Sequence, residues 1–83
     1  MPKKVILFAL STCGWCKRTK RFFEKHKVEA EVIDVDLLEG DEKTRVREEV
    51  AKYNPRRSYP TVVIDDVVVA GFDERRLKEL LDL

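Results

Sequence analysis

The chain has 83 residues, of which 43% are hydrophobic and 40% are charged, and its formal net charge at pH 7 is +1. This length suits one small domain with a single core, and the balanced charge argues against a disordered chain and against nucleic acid as the main partner. Only six consecutive apolar residues follow the N-terminal lysines, too few to span a bilayer, and no signal-like cleavage site follows them. We therefore expect a cytoplasmic protein that does not act at a membrane.

The first predicted element is a strand from Val5 to Leu10, an unbroken apolar run typical of a strand buried on both faces. A helix is predicted from Gly14 to about Lys27, because apolar side chains recur there at intervals of three and four residues. Its apolar stripe consists of Trp15, Thr19, Phe22, Phe23 and His26. Residues 30–38 are rich in β-branched side chains and predict a second strand. Strand, helix and strand together predict a right-handed parallel βαβ unit.

Residues 40–55 predict a second helix, which presents Val46, Val50 and Tyr53 on one face and ends at an Asn-Pro pair. Residues 61–64 and 67–70 predict an antiparallel hairpin around Asp65 and Asp66. The last helix is predicted over residues 73–83, with Asp73 as its N-cap. Its core-facing side chains are Leu77, Leu80 and Leu81. The order β-α-β-α-β-β-α predicts an α/β fold in which helices pack on a four-stranded mixed sheet.

The only two cysteines, Cys13 and Cys16, form a C-x-x-C motif at the start of the first predicted helix. Thiols of such motifs at helix N-termini have pKa values lowered from ~8.5 to roughly 3.5–7.5, because the helix dipole favours the thiolate. A thiolate at Cys13 can attack a disulfide, and Cys16 is close enough to resolve the mixed disulfide. The motif therefore predicts a redox-active centre in a reducing compartment.

The two residues between the cysteines, and the residues just after them, have both functional and structural interpretations. Gly14 allows a tight turn, and Trp15 offers an apolar ledge beside the reactive sulfur, but a loop glycine and a core aromatic are equally acceptable interpretations. Lys17 and Arg18 add positive charge near the thiols.

A metal site is the alternative from another class. A closed zinc site needs four ligands, whereas this chain supplies two cysteines and His26, which lies about ten positions further on. A histidine near a helix end more often caps or packs than binds a metal. Zinc or an iron-sulfur cluster would therefore need cysteines from two chains.

Three stretches together resemble the glutaredoxins of the thioredoxin superfamily. They are "STCGWC" after the first strand, "SYPTVVID" leading into the hairpin and "AGFDERRLKEL" at the last helix, and the resemblance covers nearly the whole chain. It implies a thioredoxin-like fold and a single glutaredoxin-like domain over residues 1–83. It also implies that Cys13 is the nucleophile and that Cys16 resolves.

The resemblance further implies substrate-binding residues. Pro60 matches the proline that follows a cis peptide bond and faces the active-site cysteines, and the backbone of Tyr59 would pair with a bound peptide or glutathione. Gly71 and Asp73 match the place where glutaredoxins hold the γ-glutamyl end of glutathione, although Asp73 serves equally well as a simple N-cap. The full predicted set is Thr12, Trp15, Lys17, Tyr59, Pro60, Gly71, Phe72 and Asp73.

Two departures from the family pattern bear on the substrate. Many glutaredoxins have a lysine three positions before the first cysteine, where this chain has Leu10, and their usual Pro-Tyr pair is replaced by Gly14 and Trp15. A cation for the glutathione carboxylate could come instead from Lys17, Arg56 or Arg57, although the arginines are also acceptable as a solvated pair.

We therefore expect a monomeric thiol-disulfide oxidoreductase and electron carrier that serves cell redox homeostasis and needs no bound cofactor. It would reduce client-protein disulfides or glutathione mixed disulfides, with electrons supplied by glutathione or by a flavoprotein thioredoxin reductase. A carrier dedicated to one client, such as a ribonucleotide reductase, is an alternative within this class. A metal or iron-sulfur protein that uses both cysteines across a dimer is the alternative outside it.

Overall fold

The computed structural model describes residues 3–83, and Met1 and Pro2, which begin the predicted 1–83 domain, lie outside the described residues. The predicted order of strands and α-helices is confirmed, with one additional short 3-10 helix. The strands are β1 (Val5–Ala9), β2 (Glu31–Asp34), β3 (Thr61–Ile64) and β4 (Val67–Ala70). The α-helices are α1 (Gly14–Lys25), α2 (Gly40–Tyr53) and α3 (Glu74–Leu81). None of the helices within residues 3–83 has the length and apolar character needed to cross a membrane.

The four strands form one mixed sheet in the order β2-β1-β3-β4, which confirms the predicted fold class. β1 runs parallel to β2, with Phe8 opposite Ile33, and antiparallel to β3, with Phe8 opposite Thr61. Because β1 and β3 are antiparallel neighbours, the end of β1 and the start of β3 lie at the same edge of the sheet. The loop with the two cysteines and the Tyr59-Pro60 segment are therefore brought together at that edge.

Two apolar clusters cover the two faces of the sheet. On one face, Leu7 and Ala9 of β1 pack with Phe22 and Phe23 of α1 and with Leu77 of α3. On the other face, Phe8 packs with Val35, Val50 and Val63. This alternation along β1 is the period-two pattern of a strand that is buried on both faces. Full burial of a large apolar side chain such as Leu7 or Phe8 stabilises the fold by about 1.5–3 kcal/mol, so β1 fixes the end of the sheet at which the cysteine loop begins.

The second predicted strand was too long. β2 ends at Asp34, and Val35–Leu37 form the 3-10 helix instead. The physical reason is that Ala9, the last residue of β1, pairs with Asp34, so no neighbouring strand extends further. The chain then bends so that Val35 is buried against Phe8 on the α2 side of the sheet.

The other boundaries differ from the predictions by one or two residues. Leu10 lies outside β1, and α2 ends at Tyr53 with Asn54 as its C-cap. α1 ends at Lys25, because His26 is the C-cap and Lys27 has a φ of +54°, which stops a right-handed helix. α3 ends at Leu81, since Asp82 also has a left-handed backbone.

Candidate active site

Cys13 is the N-cap of α1, and its thiol receives a hydrogen bond from the helix backbone. The amide N–H of Cys16 donates to Sγ of Cys13 at 3.2 Å, and the side chain is only partly exposed. The loop before it is fixed by a bond from the Cys13 N–H to the carbonyl of Leu10. The first turn of α1 therefore directs a backbone N–H at this sulfur.

Cys16 has the opposite environment, because its side chain is fully buried. Burial, and then the hydrogen-bonding contact with the Cys13 thiol, raise the pKa of Cys16 from its ordinary value of 9.0 to about 12. The thiol is therefore protonated and shielded from solvent at neutral pH. The pair is thus asymmetric, with a partly exposed sulfur at the helix start and a neutral thiol beneath it.

The Tyr59-Pro60 segment faces this pair across the edge of the sheet. Its peptide bond is cis, as the resemblance implied. The carbonyl oxygen of Tyr59 lies 3.9 Å from Sγ of Cys13, and Pro60 is buried beneath it. The backbone of Tyr59 therefore forms the wall of the site that is opposite to the helix. Burial raises the pKa of the Tyr59 hydroxyl, so the phenol is neutral at physiological pH.

An aromatic cleft of about 200 Å³ lies on one side of Tyr59, between Trp15, Pro60, Gly71 and Phe72. Trp15 was predicted on the apolar stripe of α1, but its side chain is 57% exposed and does not enter the core. Its ring stacks on Phe72 at a centroid distance of 6.3 Å, and the guanidinium of Arg18 covers it at 5.0 Å. The ledge interpretation of Trp15 is therefore the one that agrees with the geometry.

A cationic cleft of about 200 Å³ lies on the other side of Tyr59. Three basic side chains from α2 and the following loop line it together with Leu10 and one carboxylate, Asp36, so positive charge is in excess: Lys43, Arg47 and Arg57. Within residues 3–83 these three make no ion pair shorter than 4.0 Å. Sequence reasoning named Arg57, which is two residues before Tyr59. It missed Lys43 and Arg47, because they are close in sequence neither to Tyr59 nor to the cysteines. Only the packing of α2 beside the sheet edge brings them to the site.

The remaining predicted binding residues occupy different positions around the two clefts. Thr12 and Lys17 are both exposed, before and after the cysteine pair. Gly71 has a φ of +82°, which favours glycine, and its N–H donates to the carbonyl of Pro60 at 2.7 Å. Asp73 caps α3 by accepting a hydrogen bond from the N–H of Arg76 at 3.1 Å, so its N-cap role is confirmed.

Asp36 is a further site residue that sequence reasoning missed. From the 3-10 helix after β2, its carboxylate accepts a hydrogen bond from the N–H of Ser11 at 2.8 Å and a second one from the Ser11 hydroxyl. These two bonds, the hydroxyl first, hold the pKa of Asp36 below its usual value of 3.8. The carboxylate therefore ties the loop before Cys13 to the end of β2.

The variant Asp36→Ala is expected to lower the melting temperature in a pH-dependent way. A carboxyl group whose pKa is lowered by folding stabilises the fold above its unfolded value of 3.8, and this contribution is lost as the pH falls through the lowered pKa. The difference in melting temperature between the two proteins should therefore be largest near neutral pH and shrink below pH 3.8. Thermal denaturation at a series of pH values measures it.

The matched control for this prediction is Ser11→Ala, which removes the hydroxyl donor but keeps the backbone donor to Asp36. We expect a smaller difference with the same pH dependence. A loss of stability that is the same at every pH would show that Asp36 acts through packing and not through its charge.

His26 lies at the C-terminal end of α1, ten residues or about 15 Å of helix from Cys16. It caps the helix, and its ring packs against Phe22 at a centroid distance of 4.6 Å, which confirms the predicted capping and packing role. Within residues 3–83 no group of three or more His, Cys, Asp or Glu side chains is close enough to hold a metal ion. A site shared by two chains stays a prediction.

Comparisons with known proteins agree with this geometry. The glutaredoxin family model matches residues 5–69. The crystal structure of a glutaredoxin from Archaeoglobus fulgidus superimposes with a TM-score of 0.88 at 44% identity, over 94% of this chain and 85% of that one. Methanoredoxin from Methanosarcina acetivorans gives a TM-score of 0.92 at 38% identity, over 96% of this chain and 85% of that one.

A curated relative from Synechocystis, described as a probable glutaredoxin, is 31% identical over 86% of this chain and 76% of its own length. The residues matched by the family model include β1, the cysteine loop, α1, the Tyr59-Pro60 segment and most of the β3-β4 hairpin. Such membership supports a role of the thiol-disulfide oxidoreductase type. The chain belongs to the glutaredoxin family.

Proposed function

We propose that this protein is a thiol-disulfide carrier that reduces protein disulfides or glutathione mixed disulfides through its Cys13-Cys16 pair. The observation that carries the proposal is the asymmetry of the two sulfurs. Cys13 accepts a hydrogen bond at the start of α1, whereas Cys16 is buried and its pKa is raised to about 12. The partly exposed sulfur of Cys13 can therefore attack first, and the buried, protonated thiol of Cys16 reacts afterwards.

The reaction proceeds in two displacements. The Cys13 thiolate attacks one sulfur of the substrate disulfide, a Cys13-substrate disulfide forms, and the other substrate sulfur leaves as a thiolate that takes up a proton. Cys16 then loses its proton and attacks Sγ of Cys13, which releases the second substrate thiol. Two electrons pass to the substrate, and the protein is left with a Cys13-Cys16 disulfide.

The change in Cys13 during the first step helps to activate Cys16. The contact with the Cys13 thiol and the charge of Cys13 both raise the pKa of Cys16, after the larger effect of burial. Once Cys13 is bound in a mixed disulfide it has neither a proton to share nor a negative charge. The pKa of Cys16 then falls toward the value set by burial, which raises it, and by a backbone hydrogen bond with Leu10 and the charge of Lys20, which lower it.

The two clefts beside Tyr59 support a substrate with peptide groups and a negative charge. The aromatic cleft would hold apolar or peptide surface, and its residues together with Thr12, Lys17 and Asp73 are the proposed docking set. The cationic cleft replaces the charge that Leu10 does not supply, since Lys43, Arg47 and Arg57 can pair with a carboxylate. The clefts can therefore accept glutathione, which has two carboxylates, as well as client proteins.

A cytoplasmic location and action as a monomer belong to the same proposal. No cofactor is needed, because both electrons are held by the cysteine pair. Electrons return from glutathione or from a flavoprotein thioredoxin reductase, and the two donors would be distinguished by supplying each in turn to the oxidised protein.

The test is a redox titration of the purified protein in glutathione buffers, with free thiols counted by mass-tagged alkylation. We expect a reversible transition of two thiols between roughly −270 and −180 mV, the range of thioredoxins, glutaredoxins and disulfide isomerases. The midpoint potential of this transition shows whether glutathione can reduce the Cys13-Cys16 disulfide. Thiols that become free only after a chelator is added would overturn the proposal in favour of a metal site.

A further inference from the structure

Asn54 is the only asparagine of the chain, and its side chain is buried to 94% at the end of α2. The amide nitrogen Nδ2 donates to the hydroxyl of Ser58 at 2.9 Å and to Oγ1 of Thr61 at 3.1 Å, with a longer contact to the carbonyl of Ser58 at 3.4 Å. Its oxygen Oδ1 accepts a hydrogen bond from the N–H of Arg56 at 3.2 Å. One side chain therefore bonds to two residues of the following loop and to the first residue of β3.

Thr61 completes this network from the first position of β3. Its side chain is fully buried, and its hydroxyl accepts from Asn54 and donates to the carbonyl of Ser58 at 2.7 Å. The backbone carbonyl of Asn54 also accepts a bond from the N–H of Arg57, whose φ is +53°. A buried polar network in which every partner is satisfied fixes one backbone conformation, because any other leaves donors or acceptors unpaired.

The loop held by this network contains two features of the candidate site. Tyr59 presents its carbonyl to Sγ of Cys13 at 3.9 Å, and Arg57 lines the cationic cleft. Asn54 itself makes no hydrogen bond, within residues 3–83, to Cys13 or to any part of α1. The network therefore bears directly on the wall that would receive the substrate, and reaches the attacking thiol only through the 3.9 Å hydrogen bond from Cys13 to the Tyr59 carbonyl.

We propose that Asn54 is a positioning residue that sets the substrate-docking wall, Tyr59 and Arg57, and has little influence on the reactivity of Cys13, whose 3.2 Å hydrogen bond from the Cys16 N–H does not involve this loop. This inference rests on the proposed exchange function. It predicts a separation of effects: loss of Asn54 weakens reaction with a disulfide that must dock against the wall, and leaves reaction with a reagent that does not dock unchanged.

The experiment uses the full chain in a Cys16→Ser background, so that only one thiol reacts and the first displacement is observed alone. Three reagents are compared: iodoacetamide, bis(2-hydroxyethyl) disulfide and glutathione disulfide. The first measures the thiol itself, the second is a disulfide without peptide groups or carboxylates, and the third offers both. Formation of each adduct is followed by mass spectrometry.

Adding Asn54→Ala is expected to slow the reaction with glutathione disulfide roughly tenfold to a hundredfold, because small displacements of positioning groups have effects of this size. The rates with iodoacetamide and bis(2-hydroxyethyl) disulfide are expected to equal those of the parent. Asn54→Asp keeps the size of the side chain and the acceptor for Arg56 but removes the donors, so it should show the same separation. The control Ser58→Ala removes one hydroxyl and should have a smaller effect.

Equal losses with all three reagents would overturn the proposal, since a general loss of structure gives that pattern, and an unchanged rate with glutathione disulfide would overturn it as well. If Asn54→Ala does not fold, Thr61→Val decides by the same comparison, because it removes the hydroxyl from the same network without changing the shape of the side chain. A parent protein that forms no mixed disulfide with either disulfide reagent contradicts the exchange function itself, and is recognised before any Asn54 variant is made.

Discussion

Replacing Cys13 with serine is expected to abolish disulfide reduction, whereas Cys16→Ser is expected to stop the reaction at a mixed disulfide that can be isolated. The first variant lacks the nucleophile, and burial, which is the largest cause of the raised pKa of Cys16, keeps the thiol that is left protonated at neutral pH. Turnover should fall by on the order of a thousandfold or more, toward the level of uncatalysed exchange. Turnover assays and mass spectrometry without reductant measure the two outcomes.

The Cys16→Ser result tests the order of the two steps, because only the sulfur that attacks first can hold the substrate. Lys52→Ser changes an exposed side chain in the last turn of α2 and is the matched control, with activity equal to that of the parent. A mixed disulfide trapped on Cys16 in the Cys13→Ser variant would show that the assigned roles are reversed. Absence of any adduct in Cys16→Ser would contradict a two-step exchange.

The parts of the fold that could be predicted from the sequence depend on local patterns. Val5–Ala9 is an unbroken apolar run, and Phe22 and Phe23 recur with Thr19 at helical spacing, so β1 and α1 follow from periodicity alone. The C-x-x-C motif before such a helix also places Cys13 at the N-cap without any tertiary information. The resemblance to the glutaredoxins, and not periodicity, predicted that the Tyr59-Pro60 segment faces the cysteines.

The parts that could not be predicted depend on contacts between distant residues. Ser11 and Asp36 are 25 positions apart, so neither residue alone indicates that a carboxylate holds the cysteine loop. Arg47 reaches the cationic cleft only because α2 packs on the face of the sheet on which Leu10 lies. The exposure of Trp15 is decided by Phe72, which lies 57 positions further on and supplies a stacking surface outside the core. Periodicity assigned Trp15 to the buried stripe because it cannot detect such a surface.

The thiol of Cys16 is expected to be strongly protected from alkylation in the folded, reduced protein. A pKa raised from 9.0 to about 12 lowers the thiolate fraction at a given pH about a thousandfold, and only the thiolate reacts with iodoacetamide. Full burial of the side chain lowers the rate further. Treatment at pH 8 should therefore give a product with one label, on Cys13, and a second label should appear only after denaturation.

The variant Cys13→Ala separates the causes of this protection. It removes the contact and the charge of Cys13, which are the smaller contributions that raise the pKa of Cys16, and leaves burial, which is the largest. Cys16 should therefore be alkylated faster in this variant than in the intact protein, but still far more slowly than in the denatured chain. Equal rates in the folded variant and the denatured chain would show that burial does not protect the thiol. The intermediate rate that we expect approximates the state of Cys16 once Cys13 is bound to substrate, when the resolving thiol must react.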